Sequence, residues 1–352
     1  MSDKRDIRSF SYEQLRHEME ALGEKPFRAD QIFDWLHNKK VSDYSSMTNL
    51  SANLRGLLSE KYEIYETVPV KVLVSSIDGT RKYVHRLNDG NVIETVLLRY
   101  DYGYTACISS QAGCRMGCRF CASTIDGLAR NLTAGEMAGQ VYSVEKDTKE
   151  RVSHVVVMGS GEPLDNFDNF TDFIELISDS RGAGLSGRNI TASTCGIVPR
   201  MIELADRRYA LTLAVSLHAA TDEKRRRLMP VAERYSIDEL LDACRYYFDK
   251  TGRRITFEYS LIEGENDGEE DVEGLIRIAQ SVNSHVNLIP VNPIRERPFR
   301  ATAPAAAAVL KNKLEKNHIN VTIRREMGRD ISASCGQLRR SFLKECAGDQ
   351  NA

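Results

Sequence analysis

The sequence predicts an α/β fold, namely a partial (β/α)6 barrel with an N-terminal helical domain and a small β-hairpin extension. Three observations predict this class. Apolar residues recur at helical spacing in the first 60 positions, Asp-Gly pairs then separate three strand-like runs, and strand-like and helix-like segments alternate beyond about position 100. Such alternation is typical of parallel strands covered by helices.

Three short helices are predicted in the N-terminal part. Ser11 and Gln14 have the spacing of a capping box for the first helix, and Gly23 provides its stop. Apolar residues at helical spacing predict the second helix in FRADQIFDWLHN, and SANLRGLLSEKY predicts the third. We expect residues 1–65 to form a helical accessory domain.

Strands are the predicted element in the next part of the chain. The runs VKVLVSS, RKYVHRL and VIETVLLRY favour strands, and Asp78-Gly79 and Asp89-Gly90 between them are strong signals for hairpin turns. Residues 66–100 are therefore expected to form a β-hairpin linker region.

Residues 101–345 are predicted to form the core barrel. The candidate strands are YTACISS, HVVVMGS, NITAST, ALTLAVSLHA, ITFEYSLI, HVNLIPVNP and NVTIR, with helical stretches between them. Six such repeats suffice for most of a barrel. Functional loops are then expected at the C-terminal ends of the strands, because parallel barrel strands end at one common face.

The composition is that of an ordinary globular protein, with 352 residues, a net charge of -2 and 41% hydrophobic residues. The segment MSDKRDIRSFSYEQL has no apolar run typical of a signal peptide, and no stretch approaches about 18 apolar residues. We therefore expect a cytoplasmic protein without a membrane span. Basic runs such as Lys224 to Arg227 are expected to be solvated surface.

Four of the eight cysteines fall within fifteen residues: Cys107, Cys114, Cys118 and Cys121. The last three have the spacing C-x3-C-x2-C, and in a reducing cytosol clustered cysteines more often hold metal or perform chemistry than form disulfides. Structural zinc needs a fourth ligand, for which Cys195 and His218 are candidates. A [4Fe–4S] cluster on three cysteines leaves one iron open. Spacing alone leaves a cluster, zinc and buried thiols as alternatives.

The motif C-x3-C-x-F-C, placed after the first strand of a barrel, resembles the radical S-adenosylmethionine (SAM) superfamily. In that superfamily three cysteines bind a [4Fe–4S] cluster, and the open iron chelates the amino and carboxylate groups of SAM. The segment MGSGEPLDN resembles the one whose Gly-Glu pair, here Gly161 and Glu162, holds the amino group. Residues at strand ends match the cofactor contacts of one subfamily, the RlmN/Cfr RNA methyltransferases: Ser193, Ser216, Leu217, His218 and Asn292.

The likeness to the RlmN/Cfr family covers nearly the whole chain, including GEKPFRADQIFDWL, CISSQ-x2-GC and DISASCGQL. It implies methylation of carbon 2 of adenosine in 23S rRNA, at the peptidyl-transferase centre, and in tRNA. It also implies one cluster per chain and two SAM molecules per turnover. Carbon 2 is electron-poor and SAM is an electrophilic methyl donor, so a radical route supplied by the cofactors replaces simple displacement.

The resemblance also implies roles for three residues outside the metal site. Cys335 matches the cysteine that takes a methyl group from SAM and, after a deoxyadenosyl radical has removed a hydrogen atom, links this carbon to adenine. Cys107 matches the thiol that then attacks the Cys335 sulfur, which releases the RNA and leaves a transient disulfide. Glu94 matches the residue that accepts the carbon 2 proton.

The implied partners are 23S rRNA, tRNA and an electron donor such as flavodoxin or ferredoxin, and the implied state is a monomer. Candidate phosphate contacts are the arginines that follow the last strands: Arg295, Arg297, Arg300, Arg324 and Arg325. One alternative is a Cfr-type enzyme, which methylates carbon 8 of the same adenosine and confers antibiotic resistance. The sequence gives no physical reason to choose between the two carbons. Another alternative is a non-catalytic iron–sulfur or zinc RNA-binding regulator, against which segment 159–162 and the pair Cys107 and Cys335 argue.

Overall fold

A ten-stranded mixed sheet organises the computed structural model, which describes residues 4–294 and 296–331. The strands are β1 Arg5–Asp6, β2 Tyr62–Glu63, β3 Val68–Val74, β4 Arg81–Arg86, β5 Val92–Tyr100, β6 Gly103–Ile108, β7 Gln111–Gly113, β8 Leu128–Asn131, β9 Val152–Val157, β10 Ile190–Thr194, β11 Thr212–Ser216, β12 Ile255–Leu261, β13 Ser284–Pro290 and β14 Val321–Ile323. The order across the large sheet is β14-β13-β12-β11-β10-β9-β6-β5-β4-β3. Strands β3 to β6 pair antiparallel, and β6 and β9 to β14 pair parallel.

Helices connect the parallel strands. The helices are α1 Tyr12–Ala21, α2 Phe27–Phe33, α3 Ala52–Lys61, α4 Ala134–Thr148, α5 Phe167–Ser178, α6 Val198–Arg207, α7 Asp222–Leu228, α8 Ile237–Thr251, α9 Glu269–Ser281 and α10 Pro304–Lys316. From β6 to β13, each parallel strand is followed by at least one helix, and β14 ends the series. The predicted α/β class is confirmed. Within the described residues β3 and β14 are the two edges of the sheet, so the barrel is open.

The N-terminal helices begin and end largely as predicted. Ser11 and Gln14 form the predicted capping box, and Gly23 adopts a φ of 72°, which favours glycine after a helix. The second helix differs from the prediction because α2 ends at Phe33 and the chain continues as a π-helical turn, Asp34–Asn38. This wider turn carries His37, whose Nδ1 lies 3.0 Å from the hydroxyl of Tyr142 on α4.

The two predicted Asp-Gly turns are present. Gly79 and Gly90 have φ values of 72° and 84° between β3 and β4 and between β4 and β5. The three strands are not a separate layer, because β5 pairs with β6 and extends the barrel sheet. In this register Val96 is opposite Cys107, and Cys107 is opposite Val156 of β9.

The main core lies between the sheet and the helices that cover it. It includes Phe170, Phe173, Tyr247 and Phe257, each at most 1% exposed. Cys244 on α8 belongs to this core. Among the helices described, none combines the length and apolar character that a membrane span requires.

Candidate active site

The loop of the three clustered cysteines is held by main-chain hydrogen bonds. It runs from β7 to a short 3-10 turn at Ala122–Thr124. The N–H of Cys114 donates to the carbonyl of Gly127 at 2.9 Å, and the hydroxyl of Thr124 donates to the carbonyls of Cys118 and Cys121 at 3.0 Å each. These hydrogen bonds fix the path of the loop that carries the cysteines.

Two thiols of this loop, those of Cys114 and Cys118, have raised pKa values. Burial raises the pKa of Cys114 to about 12 and that of Cys118 well above its usual value, and the neighbouring sulfurs add to both shifts. A cationic metal group reverses this effect, since thiolates are the metal-binding form. Within residues 4–294 and 296–331, no three His, Cys, Asp or Glu side chains surround a common point that could hold one metal ion. Three neighbouring thiol groups fit a [4Fe–4S] cluster, because each thiolate can take a different iron and one iron then stays open.

A cavity of about 140 Å³, the cysteine cavity, lies beside this loop. Its walls combine the loop with the C-terminal ends of β9, β10 and β11. The predicted site residues that line it are Cys114, Cys118, Cys121, Gly161, Glu162, Ser193, Ser216 and His218. Residues more than 100 positions apart in the sequence therefore meet at the C-terminal ends of the strands, which is where barrels of this kind carry their functional residues.

Glu162 is a buried carboxylate in the wall of the cysteine cavity. Its two oxygens accept hydrogen bonds from the N–H groups of Leu164 at 3.0 Å and Cys195 at 2.6 Å, and its own N–H donates to Gln111 at 2.9 Å. Burial raises the pKa of Glu162 despite these bonds. A bound ammonium group would favour the charged carboxylate, so the residue fits the amino group of SAM.

Two glycines allow the chain to turn after β9. At Gly159, a side-chain carbon would lie 2.7 Å from the carbonyl oxygen of Ile108. At Gly161, where φ is 110°, it would lie 2.6 Å from Cβ and 2.7 Å from the main-chain nitrogen of Gln111. These contacts are too short for any other residue, because real Cβ atoms do not approach backbone so closely.

Gly161→Ala is therefore expected to lower the thermal unfolding midpoint more than Gly252→Ala. Gly252 also has a positive φ, 65°, but a Cβ there has nothing within 4 Å, so it controls for backbone strain alone. Differential scanning calorimetry of the two variants measures the difference. Equal midpoints would show that the close approach to Gln111 is easily relieved.

His218 is held rigidly in the cavity wall. Its Nδ1 accepts a hydrogen bond from the N–H of Ser260 at 2.9 Å, its carbonyl accepts from Asn266 at 2.8 Å, and its ring packs edge-on against Phe120 at 4.8 Å. Burial lowers the pKa of His218 to about 3, so the ring is neutral. With Nδ1 as an acceptor, the ring proton lies on Nε2, which leaves a donor for a ligand.

The run Lys224 to Arg227 was predicted to be solvated surface, and this prediction is wrong for Arg225. Its side chain is 0% exposed, and its guanidinium donates to the carbonyls of Cys195 at 2.7 Å and of Ser216 and Leu217 at 3.3 Å each. One side chain thus joins the ends of β10 and β11. Helical spacing could have indicated the burial of Arg225, because Leu228 is buried and lies three residues further on the same face of α7.

A second cavity of about 360 Å³, the arginine cavity, holds two of the predicted residues. Cys107 and Asn292 line it together with Arg324, Arg325 and Met327. They are therefore not in the cysteine cavity. The two cavities are neighbours, because Met158 lines the cysteine cavity and packs against the apolar cluster that contains Cys107.

Leu217 is placed differently from the other predicted contacts. Its side chain is 0% exposed and belongs to the main core, while its N–H donates to the carbonyl of Glu258 at 3.0 Å. Leu217 follows the last residue of β11, and its side chain packs in the core while Ser216 lines the cavity. Any ligand contact of Leu217 is through its main chain.

Glu94 is buried on β5 and forms an ion pair with Lys82 of β4, with 3.2 Å between Oε2 and Nζ. Lys82 is opposite Val96, which in turn is opposite Cys107, so the ion pair and the thiol share one face of the sheet. Lys82 could not be predicted as a partner of Glu94, because their pairing depends on strand register.

The structure leaves two predicted residues undescribed. Cys335 and Arg295 lie outside residues 4–294 and 296–331. Of the remaining candidate phosphate contacts, Arg300, Arg324 and Arg325 are exposed and Arg297 is half-buried.

Comparison with known proteins agrees with this arrangement. Residues 108–277 match the radical SAM superfamily, and residues 5–64 match the ribosomal RNA large subunit methyltransferase N-terminal domain. The chain is 55% identical to a probable dual-specificity RNA methyltransferase RlmN of Lachnospira eligens over 97% of each chain. It is 53% identical to one of Lachnoclostridium phytofermentans, over 97% of this chain and 96% of the relative. A crystal structure of a radical SAM methyltransferase from Sphaerobacter thermophilus superposes with a TM-score of 0.90 at 39% identity, covering 95% of this chain and 98% of that one.

Proposed function

Because the chain belongs to the RlmN family of radical SAM RNA methyltransferases, which use a [4Fe–4S] cluster and SAM, we propose that it methylates carbon 2 of adenosine in 23S rRNA and in tRNA. The observation that carries the proposal is the pair of neighbouring cavities, one lined by the three clustered cysteines and the other by Cys107.

The cysteine cavity offers the groups that the two cofactors need. Cys114, Cys118 and Cys121 would hold three irons of the cluster, and Glu162 would take the amino group of SAM. His218 would donate from Nε2 to the remainder of SAM. When bound, cluster and SAM supply the methyl group and the one-electron chemistry that activates it.

The thiols of this chain perform the transfer in the proposed reaction. Cys335 carries the methyl carbon to adenine, and Cys107 attacks the Cys335 sulfur to release the product as a disulfide forms. The segment that leads to Cys335 supports this pairing, because Arg324 to Arg329 line the same cavity as Cys107. The four residues beyond Ile331 can span at most about 14 Å.

Glu94 is proposed to accept the carbon 2 proton. Its carboxylate is buried beside the ammonium group of Lys82, on the sheet face that carries Cys107. A carboxylate can act as a general base when it lies within hydrogen-bond reach of the proton that it accepts.

RNA is proposed to approach the arginine cavity. The exposed guanidinium groups of Arg324 and Arg325 are suited to phosphate, and a target base must leave its stack to reach a cavity. A flavodoxin- or ferredoxin-type protein is the proposed electron donor. We further propose that the protein acts as a monomer in the cytoplasm.

The experiment that tests this function is mass spectrometry of nucleosides. Unmodified 23S rRNA fragments and tRNA are incubated anaerobically with cluster-loaded protein, SAM and a reductant. We expect 2-methyladenosine from both RNAs. A product of 8-methyladenosine would instead favour the Cfr-type reaction, and unmodified adenosine would favour a regulator.

Glu162→Gln is expected to weaken SAM binding without loss of the cluster. Removing a charge-assisted hydrogen bond to an ammonium group costs roughly 1.5–3 kcal/mol, which is about a 10- to 150-fold rise in Kd. Equilibrium dialysis with labelled SAM measures the change, and Glu150→Gln at an exposed position is the matched control. Unchanged affinity would show that Glu162 shapes the turn but does not bind the amino group of SAM.

A further inference from the structure

We infer that the buried positive charge of Arg225 raises the reduction potential of the [4Fe–4S] cluster and so eases the uptake of the electron that the proposed reaction needs. The guanidinium lies behind the wall of the cysteine cavity and acts on the cluster through its charge. The inference rests on the proposed cluster ligands Cys114, Cys118 and Cys121.

The guanidinium of Arg225 is buried against main-chain carbonyl groups. Besides its bonds to Cys195, Ser216 and Leu217, it donates to the carbonyl of Tyr235 at 3.5 Å. Carbonyl groups offer dipoles but no negative charge. These contacts satisfy the N–H groups and leave the positive charge without a counter-ion, although a buried charge is normally paired.

The carboxylates near this helix do not neutralise Arg225. Within the part of the chain that the structure describes, no carboxylate forms an ion pair with its guanidinium. The preceding Lys224 pairs with Asp271 at 2.6 Å. Asp222 on the same helix attracts Arg225, while its Oδ1 accepts from the N–H of Ile237 at 2.8 Å. Burial lowers the pKa of Arg225, but a guanidinium stays protonated in proteins, so the charge is permanent.

Helix α7, which carries Arg225, is joined to the loop of the clustered cysteines. The N–H of Arg119, next to Cys118, donates to the carbonyl of Leu228 at the end of α7 at 2.9 Å. The carbonyl of Arg225 accepts from the N–H of Met229 at 2.7 Å, and Met229 lines the cysteine cavity. Main-chain hydrogen bonds therefore connect the helix of Arg225 to both the cysteine loop and the cavity wall.

The side chain of Arg225 reaches the same cavity from behind. Cys195 and Ser216, whose carbonyls it binds, both line the cysteine cavity. Cys195 belongs to an apolar cluster against which Cys118 packs. A side-chain carbon at Gly196 would lie 3.2 Å from Nη2 of Arg225, so glycine at this position leaves space for the guanidinium. The positive charge is thus one residue away from the cavity.

The charge of Arg225 acts on one of the proposed ligands. Burial raises the pKa of the Cys118 thiol. The thiols of Cys121 and Cys114 and the carboxylate of Glu162 raise it further, whereas Arg225 acts in the opposite direction because a cation favours the thiolate. A [4Fe–4S] cluster bound by three thiolates is anionic, and one-electron reduction adds another negative charge. The attraction that favours the thiolate therefore also favours the reduced cluster.

Burial makes this charge more effective than those of its neighbours. Opposite charges interact more strongly in the protein interior than in water, and salt screens exposed charges far more than buried ones. Arg226 and Arg227 follow Arg225 on α7 and are exposed. The charge around an iron–sulfur cluster is one of the factors that set its potential. Arg225 is the residue of this basic run that supplies such a charge.

The test measures the reduction potential of the cluster in the absence of SAM and RNA. Full-length parent and variants are reconstituted anaerobically, and bound iron and visible absorbance establish that each carries the cluster. Each protein is then titrated with titanium(III) citrate in the presence of mediator dyes. One electron passes from each titanium(III) ion to a cluster, and titanium(IV) is formed. Electron paramagnetic resonance gives the fraction of reduced cluster at each potential.

Arg225→Gln is expected to make the cluster harder to reduce. At the midpoint potential of the parent, the ratio of reduced to oxidised cluster should fall at least about tenfold, because a nearby opposite charge shifts the ionisation of a buried group by that factor or more. For one electron, a tenfold change corresponds to a midpoint about 59 mV lower. Arg225→Met should shift the potential in the same direction, and an apolar side chain often replaces a buried charge without loss of stability.

Two further variants separate charge from packing. Arg225→Lys keeps a positive charge but loses the planar fork of hydrogen-bond donors, so its potential should stay closer to that of the parent than to that of Arg225→Gln. Arg226→Gln removes an exposed charge from the same helix and is the matched control. Its potential should equal that of the parent.

Three outcomes would contradict the inference. If both neutral variants keep the potential of the parent, the charge of Arg225 does not act on the cluster. If Arg225→Lys shifts the potential as far as Arg225→Gln, hydrogen bonds rather than charge are responsible. If neither neutral variant binds a cluster, Arg225 is needed to hold the cluster and does not tune it. A parent that binds no reducible cluster would instead contradict the three proposed cysteine ligands, and the inference would fail with them.

Discussion

Changing Cys114, Cys118 or Cys121 to Ala is expected to abolish both the brown colour of anaerobically reconstituted protein and the reductive cleavage of SAM. Each variant removes one of the three thiolates assigned to the cluster, and the remaining two cannot hold it in a state that binds SAM. Bound iron, visible absorbance and released 5′-deoxyadenosine are the measurements. The loss should be complete rather than graded.

Cys244→Ala is the matched control for these variants. Cys244 is fully buried in the core on α8, and its thiol does not line the cysteine cavity. The variant should keep iron and cleavage even if it is somewhat less stable. An Ala variant at any of the three cluster positions that retained both properties would exclude the assigned ligand set.

Cys107→Ala is expected to trap RNA covalently on the protein. Cys107 is proposed to act only after the methyl carbon of Cys335 has joined adenine, so the variant should still methylate Cys335 and cleave SAM. It should then stop, because no thiol attacks the Cys335 sulfur. Denaturing gels with labelled RNA would show a complex that survives heat and detergent, while free methylated RNA falls to background.

Two further variants decide whether the trapped complex has this origin. Cys335→Ala should give neither complex nor product, and the double variant Cys107→Ala with Cys335→Ala should also give no complex. Normal turnover by Cys107→Ala, or a complex in the double variant, would contradict the two-cysteine reaction.

Much of the fold could be predicted because local patterns determine it. The capping box at Ser11 and the turns at Gly79 and Gly90 depend on neighbouring residues only, and all three are present. The meeting of Glu162 and His218 in one cavity could also be predicted. Parallel barrel strands end at a common face, so residues at strand ends converge whatever their distance in sequence.

The remaining features depend on register and on packing across elements. The ion pair of Lys82 with Glu94 requires the alignment of β4 with β5, which hydrophobic alternation does not specify. The placement of Cys107 and Asn292 in the arginine cavity, and the packing of Met158 against the cluster of Cys107, are contacts between elements that the sequence pattern does not specify. The burial of Arg225 could not be predicted, because it belongs to a run of basic residues and such a run is normally solvated.

The order of strands in the large sheet has a consequence for the synthesis of the protein. From β3 to β14, neighbours in the sheet are also successive members of the sheet along the chain, so no strand must wait for a partner made much later. Domains generally fold from the N-terminus as the chain emerges from the ribosome. The hydrogen bond from the N–H of Gly328 to Oδ2 of Asp78 is the opposite case, because its partners are 250 positions apart. The sheet can therefore grow strand by strand on the ribosome, and its two edges become linked only after Gly328 has been synthesised.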